Sequence, residues 1–245
     1  MRAVLPRLTA GAALCALALV GSCASAPKER PRAPPPDPGE LLFLDLESRL
    51  TRARTVHVKG RLTATGAITA DLSAELWLKE GNRARLDVDG VFEGKRQRAS
   101  FSCDGERMRV GSSPVVVAEP ELRDALVYGL TRMGLLHNAA LLVAGEAPDH
   151  GAGGAHAWVK AERARSLVPA TRIAFDIVVA TKPAGDAILQ LDDQGRAHER
   201  VQDVRFDVGA MHVVERYAVF EVDVDIDDAR FALATPDTTA PPPAP

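Results

Sequence analysis

Polar and apolar residues alternate with a period of two through most of residues 55–117. This period places successive side chains on opposite faces of a β-strand. Short segments with Gly, Asn or Asp separate the runs, and such segments join neighbouring strands antiparallel. The stretch therefore predicts a meander with one polar and one apolar face. Its predicted strands are 56–62, 70–79, 83–89, 96–103, 107–110 and 115–117.

The same alternation returns in the second half of the chain. There it predicts strands at 157–160, 172–180, 187–191, 200–206 and 211–226. An antiparallel sheet of roughly ten strands curls, and its apolar face needs a cover. We therefore predict a mainly β (α+β) fold, a curved antiparallel sheet or half-open β-barrel of about 10–11 strands with a helical lid or plug.

A helical pattern precedes the meander. In residues 39–54, Leu42, Leu46 and Leu50 recur every four residues and fall on one stripe. This spacing predicts an amphipathic helix that leads into the first strand.

A second helical pattern separates the two sets of strands. It opens at Pro120, a residue that suits the first turn of a helix, and Gly134 is expected to break it. Its apolar residues recur every three or four positions, which predicts a helical pair that covers the apolar face of the sheet. The candidate lid and cavity residues are Leu122, Leu126, Leu130, Met133 and Leu136.

The N-terminus has the features of a processed export segment. Arg2 and Arg7 form a positive region before an apolar run, 10–20, that is too short to span a membrane as a mature helix. The run leads into the sequence VGSC at 20–23, which resembles the bacterial lipobox. The resemblance implies that Cys23 is diacylated and becomes the mature N-terminus. The alternative is an ordinary signal peptide with an incidental Cys.

The lipobox divides the chain into expected parts. These are a lipoprotein signal peptide (1–22), a lipidated Cys with a Pro-rich tether (23–39), a folded domain (40–236) and a disordered tail (237–245). Ala24 stands where some inner-membrane lipoproteins have Asp. The resemblance therefore implies a lipid-anchored protein of the bacterial outer membrane that faces the periplasm, with membrane lipid as a partner.

Composition excludes several classes of function. The 245 residues carry a formal net charge of −3 and only 4% aromatic side chains, so no nucleic-acid partner is expected. The sequence contains none of the common nucleophile, zinc or phosphate-loop motifs. We therefore expect a protein that is not an enzyme, without catalytic residues, metal or cofactor.

Two kinds of residue with reactive side chains are interpreted as structural. His150 and His156 flank a glycine-rich loop without a third metal ligand nearby. Cys103 alternates with Phe101 on a strand, which predicts a small core residue. It would be the only free thiol if Cys23 is acylated, so no intrachain disulfide is expected.

Three carboxylates near the C-terminus resemble a calcium site superficially. Asp223, Asp225 and Asp227 are two residues apart, a spacing that places them on one face of a strand. The Gly and bidentate Glu of a calcium-binding loop are absent. We therefore predict that they form the solvent face of the last strand.

Four segments carry a resemblance through their order along the chain. They are the opening helix that runs into 56–62, the strand 83–88, the strand–Asp–Gly–strand hairpin 101–108, and the acidic C-terminal segment 222–231. In this order they resemble the lipoprotein-localisation superfamily of LolA and LolB type, over residues 40–236. The resemblance implies a half-open barrel with a helical lid, an apolar cavity for acyl chains, and acylated lipoproteins or another lipid-like ligand as partners.

One departure from that family concerns an arginine. In the family's carrier, a strand arginine reaches inward to the lid. Here Arg83 and Arg85 alternate with Ala84 and Leu86, which predicts that both arginines face away from the apolar side. A contact from these arginines to the lid is therefore not expected.

Val91 and Phe92 are two large apolar residues between Gly90 and Gly94, in a predicted turn without a core partner. In the receptor branch of the family, the loop at this place carries an exposed apolar tip. The resemblance therefore implies a membrane or transfer loop. The alternative is a wide hairpin in which Phe92 folds back on the sheet.

Together these patterns favour a membrane-anchored lipoprotein that binds acyl chains and accepts or transfers lipoproteins or lipids at the outer membrane. Its apolar wall would remove acyl surface from water at about 25 cal/mol per Å². The alternative is a structural or scaffold lipoprotein of an envelope assembly, with the same fold and a packed interior. The two hypotheses differ in whether the helical pair is a removable lid or a permanent core.

Overall fold

The structure, a computed structural model, describes residues 35–144, 158–169 and 171–233. The signal peptide, Cys23, most of the tether, the loop with His150 and His156, and the tail lie outside these residues. The helices are α1 (Pro38–Arg52), α2 (Leu122–Tyr128) and α3 (Leu135–Ala144), with a π-helical turn at Gly129–Met133 and a 3₁₀ turn at Asp228–Phe231. The strands are β1 (Thr55–Gly66), β2 (Ala70–Lys79), β3 (Arg83–Phe92), β4 (Lys95–Asp104), β5 (Arg107–Val110), β6 (Val116–Val117), β7 (Val159–Leu167), β8 (Arg172–Val179), β9 (Lys182–Leu191), β10 (Ala197–Phe206) and β11 (Gly209–Val222).

The eleven strands form one antiparallel sheet in the order β6-β5-β4-β3-β2-β1-β11-β10-β9-β8-β7. The first strand therefore pairs with the last, and β6 and β7 lie at the two ends of the order. Within the described residues these two ends do not pair with each other, so the sheet curls around the helices without closing. The predicted fold class is confirmed.

The alternation of side chains in β3 follows the predicted period. Ala84 and Leu86 are buried on the inner face, whereas Arg83 and Arg85 lie on the outer face. Arg83 Nη1 donates to Asp228 Oδ1 at 2.6 Å. The predicted outward orientation of both arginines is confirmed, because their partners lie on the outer surface of the sheet.

The turn between β3 and β4 is shorter than predicted. It consists of Glu93 (φ 49°) and Gly94 (φ 73°), the left-handed pair that a tight two-residue hairpin requires. Val91 and Phe92 are therefore the last two residues of β3, with side chains on opposite faces of the sheet. Phe92 packs against the core, as in the alternative reading of this hairpin.

Asp223, Asp225 and Asp227 are exposed to solvent, as predicted, but the prediction that they lie on a strand is wrong. β11 ends before them, where Asp223 adopts a left-handed φ of 56°. Asp223 Oδ1 accepts from Arg54 N at 2.7 Å, and Asp227 Oδ1 accepts from Ala229 N at 2.9 Å to cap the 3₁₀ turn. These two carboxylates bind nearby backbone donors, a local role that competes with strand structure.

The first helix covers one end of the curled sheet. Asp37 caps it by accepting from Gly39 N at 2.8 Å. Leu46 and Leu50 are buried, and α1 packs against β7, β8 and α2. Arg49 donates to carbonyl oxygens of the turn between β9 and β10. The predicted amphipathic helix is confirmed.

The second helical region lies on the inner side of the sheet and shares its core. It comprises α2, the π-helical turn and α3, named here the helical segment (122–144). Gly134, with φ 90°, separates the turn from α3, as predicted. Cys103 is fully buried in the same core, also as predicted. Within the described residues, no helix combines the length and the apolar character needed to cross a membrane.

Candidate functional site

Two inward-facing polar side chains of β10 hold the end of the π-helical turn. Arg200 donates from Nη1 to Thr131 O (2.8 Å) and from Nη2 to Arg132 O (2.6 Å). Gln202 accepts from Arg200 Nε (2.6 Å) and donates to Met133 O (2.9 Å). Carbonyls at the end of a helix lack partners within it. Arg200 and Gln202 therefore supply donors to three of these carbonyls. The positive charge of Arg200 also suits the negative end of the helix dipole.

Glu215 of β11 holds the start of α3. Its carboxylate accepts from Leu135 N (2.9 Å) and Leu136 N (2.8 Å), where an anion also suits the positive helix end. The Tyr217 hydroxyl donates to the same carboxylate, and burial together with that charge raises the pKa of Tyr217 well above its usual value. A Cβ at Gly134 would collide with Glu215, so the break in the helical segment needs glycine.

The first half of the helical segment is also bound to α1. Arg132 donates to both carboxylate oxygens of Glu47, at 2.7 and 2.8 Å, and both side chains are nearly buried. Arg123 donates to the carbonyls of Leu50 (3.2 Å) and Ala53 (2.5 Å) at the end of α1. Removing one partner of such a buried pair costs about 3–5 kcal/mol, so α2 and the π-helical turn are fixed in place.

The second half of the helical segment is held differently. Beyond its first turn, α3 consists of residues 139–144, AALLVA, which have no polar side chains. Asn138 Nδ2 donates to Leu126 O at 3.1 Å and adds a polar contact near the start. The rest of α3 packs through apolar contact, which is not directional. The part of α3 beyond its first turn, residues 139–144, can therefore shift without breaking side-chain hydrogen bonds.

A cavity of about 200 Å³ lies between α3 and the sheet. From the helical segment it is lined by Met133, Leu136, His137 and Ala140, whose spacing places them on one helical face. The sheet and its turns contribute Ile68, Phe92, Gln202, Val204, Phe206, Val208, Met211 and Val213. Pockets for drug-sized ligands have about 300–1,000 Å³. The cavity as it stands therefore has room for only part of such a ligand.

The cavity reaches the surface at the end of the sheet where three hairpin turns meet. Strand register places the β1–β2, β3–β4 and β10–β11 turns at this end. Ile68, Phe92 and Phe206 are half-buried there, and Val208 is 68% exposed. We name these four side chains the mouth. An exposed apolar rim around an apolar cavity is typical of a ligand or membrane contact.

The predicted lid and loop residues divide into two groups. Met133, Leu136 and Phe92 line the cavity, so the structure brings together residues from two distant parts of the sequence. Val91 lies on the outer face of the sheet and is 40% exposed. The remaining predicted residues are buried in the core and do not line the cavity; they are Leu122, Leu126 and Leu130.

The inward-facing side chains of Arg200, Gln202 and Glu215 were not predicted from the sequence, because charged and amide residues on strands are usually expected to face solvent. The signal was available in the alternation. Glu215 lies between Val213 and Tyr217 on one strand face, and Gln202 shares its face with Val204. A polar residue two positions from large apolar residues points into the core.

The fold and the site together define a class of protein, in which an antiparallel sheet curls part of the way around helices and leaves an apolar cavity at one end. That is the arrangement implied by the LolA-type resemblance of the sequence. Comparison with protein-family models and with curated proteins finds no match.

Solved structures do match. The LolA superfamily protein NE2245 from Nitrosomonas europaea is 10% identical, with 80% of this chain and 97% of that chain covered and a TM-score of 0.36. MucB is 12% identical (80% and 62% covered, TM-score 0.33), so the match spans less than two thirds of MucB. A DUF1329 family protein from Desulfovibrio piger is 12% identical (80% and 98% covered, TM-score 0.31). At these identities and TM-scores the likeness concerns the fold alone and carries no conclusion about family or function.

Proposed function

We propose that this chain is a non-catalytic, lipid-anchored envelope lipoprotein that binds acyl chains, or a similar lipid-like ligand, in the cavity beside α3. The apolar cavity with its apolar mouth is the observation that carries the proposal. Binding is a partition between water and the cavity wall. Each buried methylene contributes about 0.8 kcal/mol, so a few methylenes suffice for measurable affinity.

Opening of the cavity is a movement of the part of α3 beyond its first turn. The cavity is too small for a whole acyl chain, so the ligand must displace part of its wall. α2 and the π-helical turn are tied to α1 and β10 by buried charged groups, including Arg132 and Arg200. α3 has apolar contacts beyond its first turn, and Gly134 separates it from the fixed half. Apolar surface adapts most readily to ligands of variable shape.

The finer proposal places the protein at the outer membrane, anchored through Cys23 and facing the periplasm. The lipobox at 20–23 and the Pro-rich stretch that follows support an acyl anchor on a tether. The mouth and the exposed side chain of Val91 then provide apolar surface for a membrane or for the acyl group of a transferred lipoprotein.

A second candidate function has one specific observation in its favour. The buried polar contacts of Arg200 and Glu215 hold the joint of the helical segment on both sides of Gly134. A segment fixed in this way suits a scaffold lipoprotein with a permanent core. The two functions differ in their response to a cavity-filling substitution.

The test uses the purified full-length chain with Cys23→Ala, so that its own acyl anchor is absent. Organic extracts are analysed by mass spectrometry for a co-purified lipid, and a fluorescent hydrophobic probe is titrated. Ala140→Phe places a ring in the cavity, whereas Ala144→Phe places the same ring at an exposed position of the same helix. We expect Ala140→Phe to lower probe affinity about tenfold or more and Ala144→Phe to leave it unchanged. A folded protein without lipid or probe binding supports the scaffold instead.

A further inference from the structure

The described residues that line the cavity include two with polar side chains, Gln202 and His137. Gln202 is engaged at both ends of its amide, since it accepts from Arg200 and donates to Met133. These contacts belong to the joint of the helical segment. Gln202 is therefore occupied with structure, and His137 is the polar group that a ligand meets.

His137 projects from the first turn of α3 and stacks on Trp158, with ring centroids 4.9 Å apart and planes inclined by 28°. No hydrogen bond within the described part of the chain reaches its ring nitrogens. Burial lowers the pKa of His137 to about 4, so at pH 7 the ring is neutral, with one N–H donor and one acceptor nitrogen. A polar group that loses contact with water and has no hydrogen-bond partner is unfavourable, and a ligand that pairs with it recovers this free energy.

Among the described residues that line the cavity there is no lysine or arginine to pair with a carboxylate ligand. The Nε, Nη1 and Nη2 atoms of Arg200, the cation beside Gln202, are all engaged in hydrogen bonds within the protein. A carboxylate in the cavity would lose its hydration without gaining an ion pair, which is strongly unfavourable. A neutral polar group loses far less.

From the placement of His137 in this lining, we infer that the cavity selects amphiphiles whose alkyl chain adjoins a neutral hydrogen-bonding group, above all an acyl ester, over free fatty acids. The ester carbonyl accepts from the ring N–H of His137, and the chain lies along the apolar wall. This selectivity rests on the proposed function, since it presupposes that an alkyl chain occupies the cavity.

Two probes with the same chain length test the inference. Monolauroylglycerol carries an ester and laurate a carboxylate, and each displaces a fluorescent hydrophobic probe from the full-length Cys23→Ala chain at pH 7. We expect the ester to bind at least about tenfold more tightly than laurate, as one hydrogen bond and an avoided charge burial imply. His137→Phe keeps a ring beside Trp158 but has no hydrogen-bonding atoms. It should raise the Kd of the ester about tenfold and change that of laurate less than about twofold.

The matched control is His198→Phe, which makes the same change at an exposed position of β10 and should alter neither affinity. Equal affinities of the wild-type chain for the two probes would overturn the inference. So would an ester preference that is undiminished in a folded His137→Phe variant. Failure of every probe to bind the wild-type chain would instead overturn the proposed function.

A second measurement needs no substitution. With ¹⁵N-labelled histidine, the ring-nitrogen resonances of His137 in the wild-type chain should shift when monolauroylglycerol binds. Laurate at the same concentration should leave them close to their free values. Unshifted resonances in the presence of bound ester would show that the ring does not contact the ester group, and the inference would fail.

Discussion

The two halves of the helical segment are held to the protein by different interactions. α2 and the π-helical turn are bound by buried charged groups, with Arg123 and Arg132 toward α1 and Arg200 toward the joint. α3 is hydrogen-bonded at its start and otherwise packs through apolar side chains. Hydrogen bonds to buried charged groups are directional and fix a helix in one position. Apolar contacts are not directional, so they allow a helix to occupy several positions.

The difference explains where the cavity lies. It adjoins α3 and the mouth rather than α2, whose residues Leu122 and Leu126 are buried in the core, as is Leu130 of the π-helical turn. One half of the segment therefore acts as fixed core and the other as a movable wall. The lid and core hypotheses describe different halves of one helical segment.

The largest expected effect comes from breaking the fixed half. Arg200→Ala leaves the carbonyls of Thr131 and Arg132 without their buried donor and should lower the free energy of unfolding by about 3–5 kcal/mol. Urea unfolding followed by circular dichroism measures this. Arg205→Ala, an exposed arginine on the same strand, should stay within about 0.5 kcal/mol. A loss below about 1 kcal/mol for Arg200→Ala would contradict the fixed half.

The second largest effect is expected at Gly134, the joint between the two halves of the helical segment. Gly134→Ala forces a Cβ against the Glu215 carboxylate and places alanine at φ 90°, so we expect destabilisation by about 2–3 kcal/mol. Gly111→Ala provides the comparison, because its φ is also positive (53°) but its surroundings are open. It should cost about 1 kcal/mol. Equal losses in urea unfolding would mean that contact with Glu215 is unimportant.

Low pH tests the burial of His137 in the cavity wall. The folded-state pKa of His137 is lowered from 6.5 to about 4 by burial, so its neutral form stabilises the fold above pH 6.5. This contribution is lost as the pH falls from 6.5 towards 4. Allowing for partial exposure, we expect it to amount to about 2 kcal/mol. The free energy of unfolding of the wild-type chain and of His137→Phe is measured in urea at pH 7 and at pH 4.5. Between these pH values the wild-type chain should lose about 2 kcal/mol more than the variant. Parallel losses would contradict a buried neutral ring.

The smallest effect on stability is expected at the mouth. Val208→Glu changes a side chain that is 68% exposed and should leave the free energy of unfolding within about 0.5 kcal/mol. It should nevertheless weaken sedimentation of the Cys23→Ala chain with phospholipid vesicles about threefold or more. Val117→Glu makes the same change at a 79% exposed site near the opposite end of the sheet. If both variants sediment alike, the mouth is not a membrane contact.

Much of the fold was predictable because alternation and turn residues act locally. The period of two located the strands of the sheet. Near Glu93 and Gly94, whose positive φ angles form the turn, Val91 and Phe92 belong to the end of β3 and not to a loop. The strand boundary there was wrong because a two-residue turn replaces a longer loop. The alternating Asp residues after Val222 were predicted to lie on a strand because their period of two is that of a strand. Asp side chains that bind backbone N–H groups in turns can have the same period.

The site was less predictable, because its contacts join distant parts of the sequence. Met133 and Leu136 were predicted from helical spacing. His137 has the same spacing, but its role depends on Trp158 and on strands that the spacing does not specify. Arg200 was not predicted, because the carbonyls that it binds become available only where the helix breaks.

The pairing of the first strand with the last has a consequence for the order of folding. β1 to β6 and β7 to β11 are two meanders whose hairpins form from neighbouring residues, which is fast. Their junction, where Val56 pairs with Val222, requires closure of almost the whole domain and is therefore the late step. A chain that emerges N-terminus first leaves the backbone N–H and C=O groups on one edge of β1 unpaired until its final strand arrives. During that interval the protein is most prone to aggregation, and a partner that covers β1 would protect it.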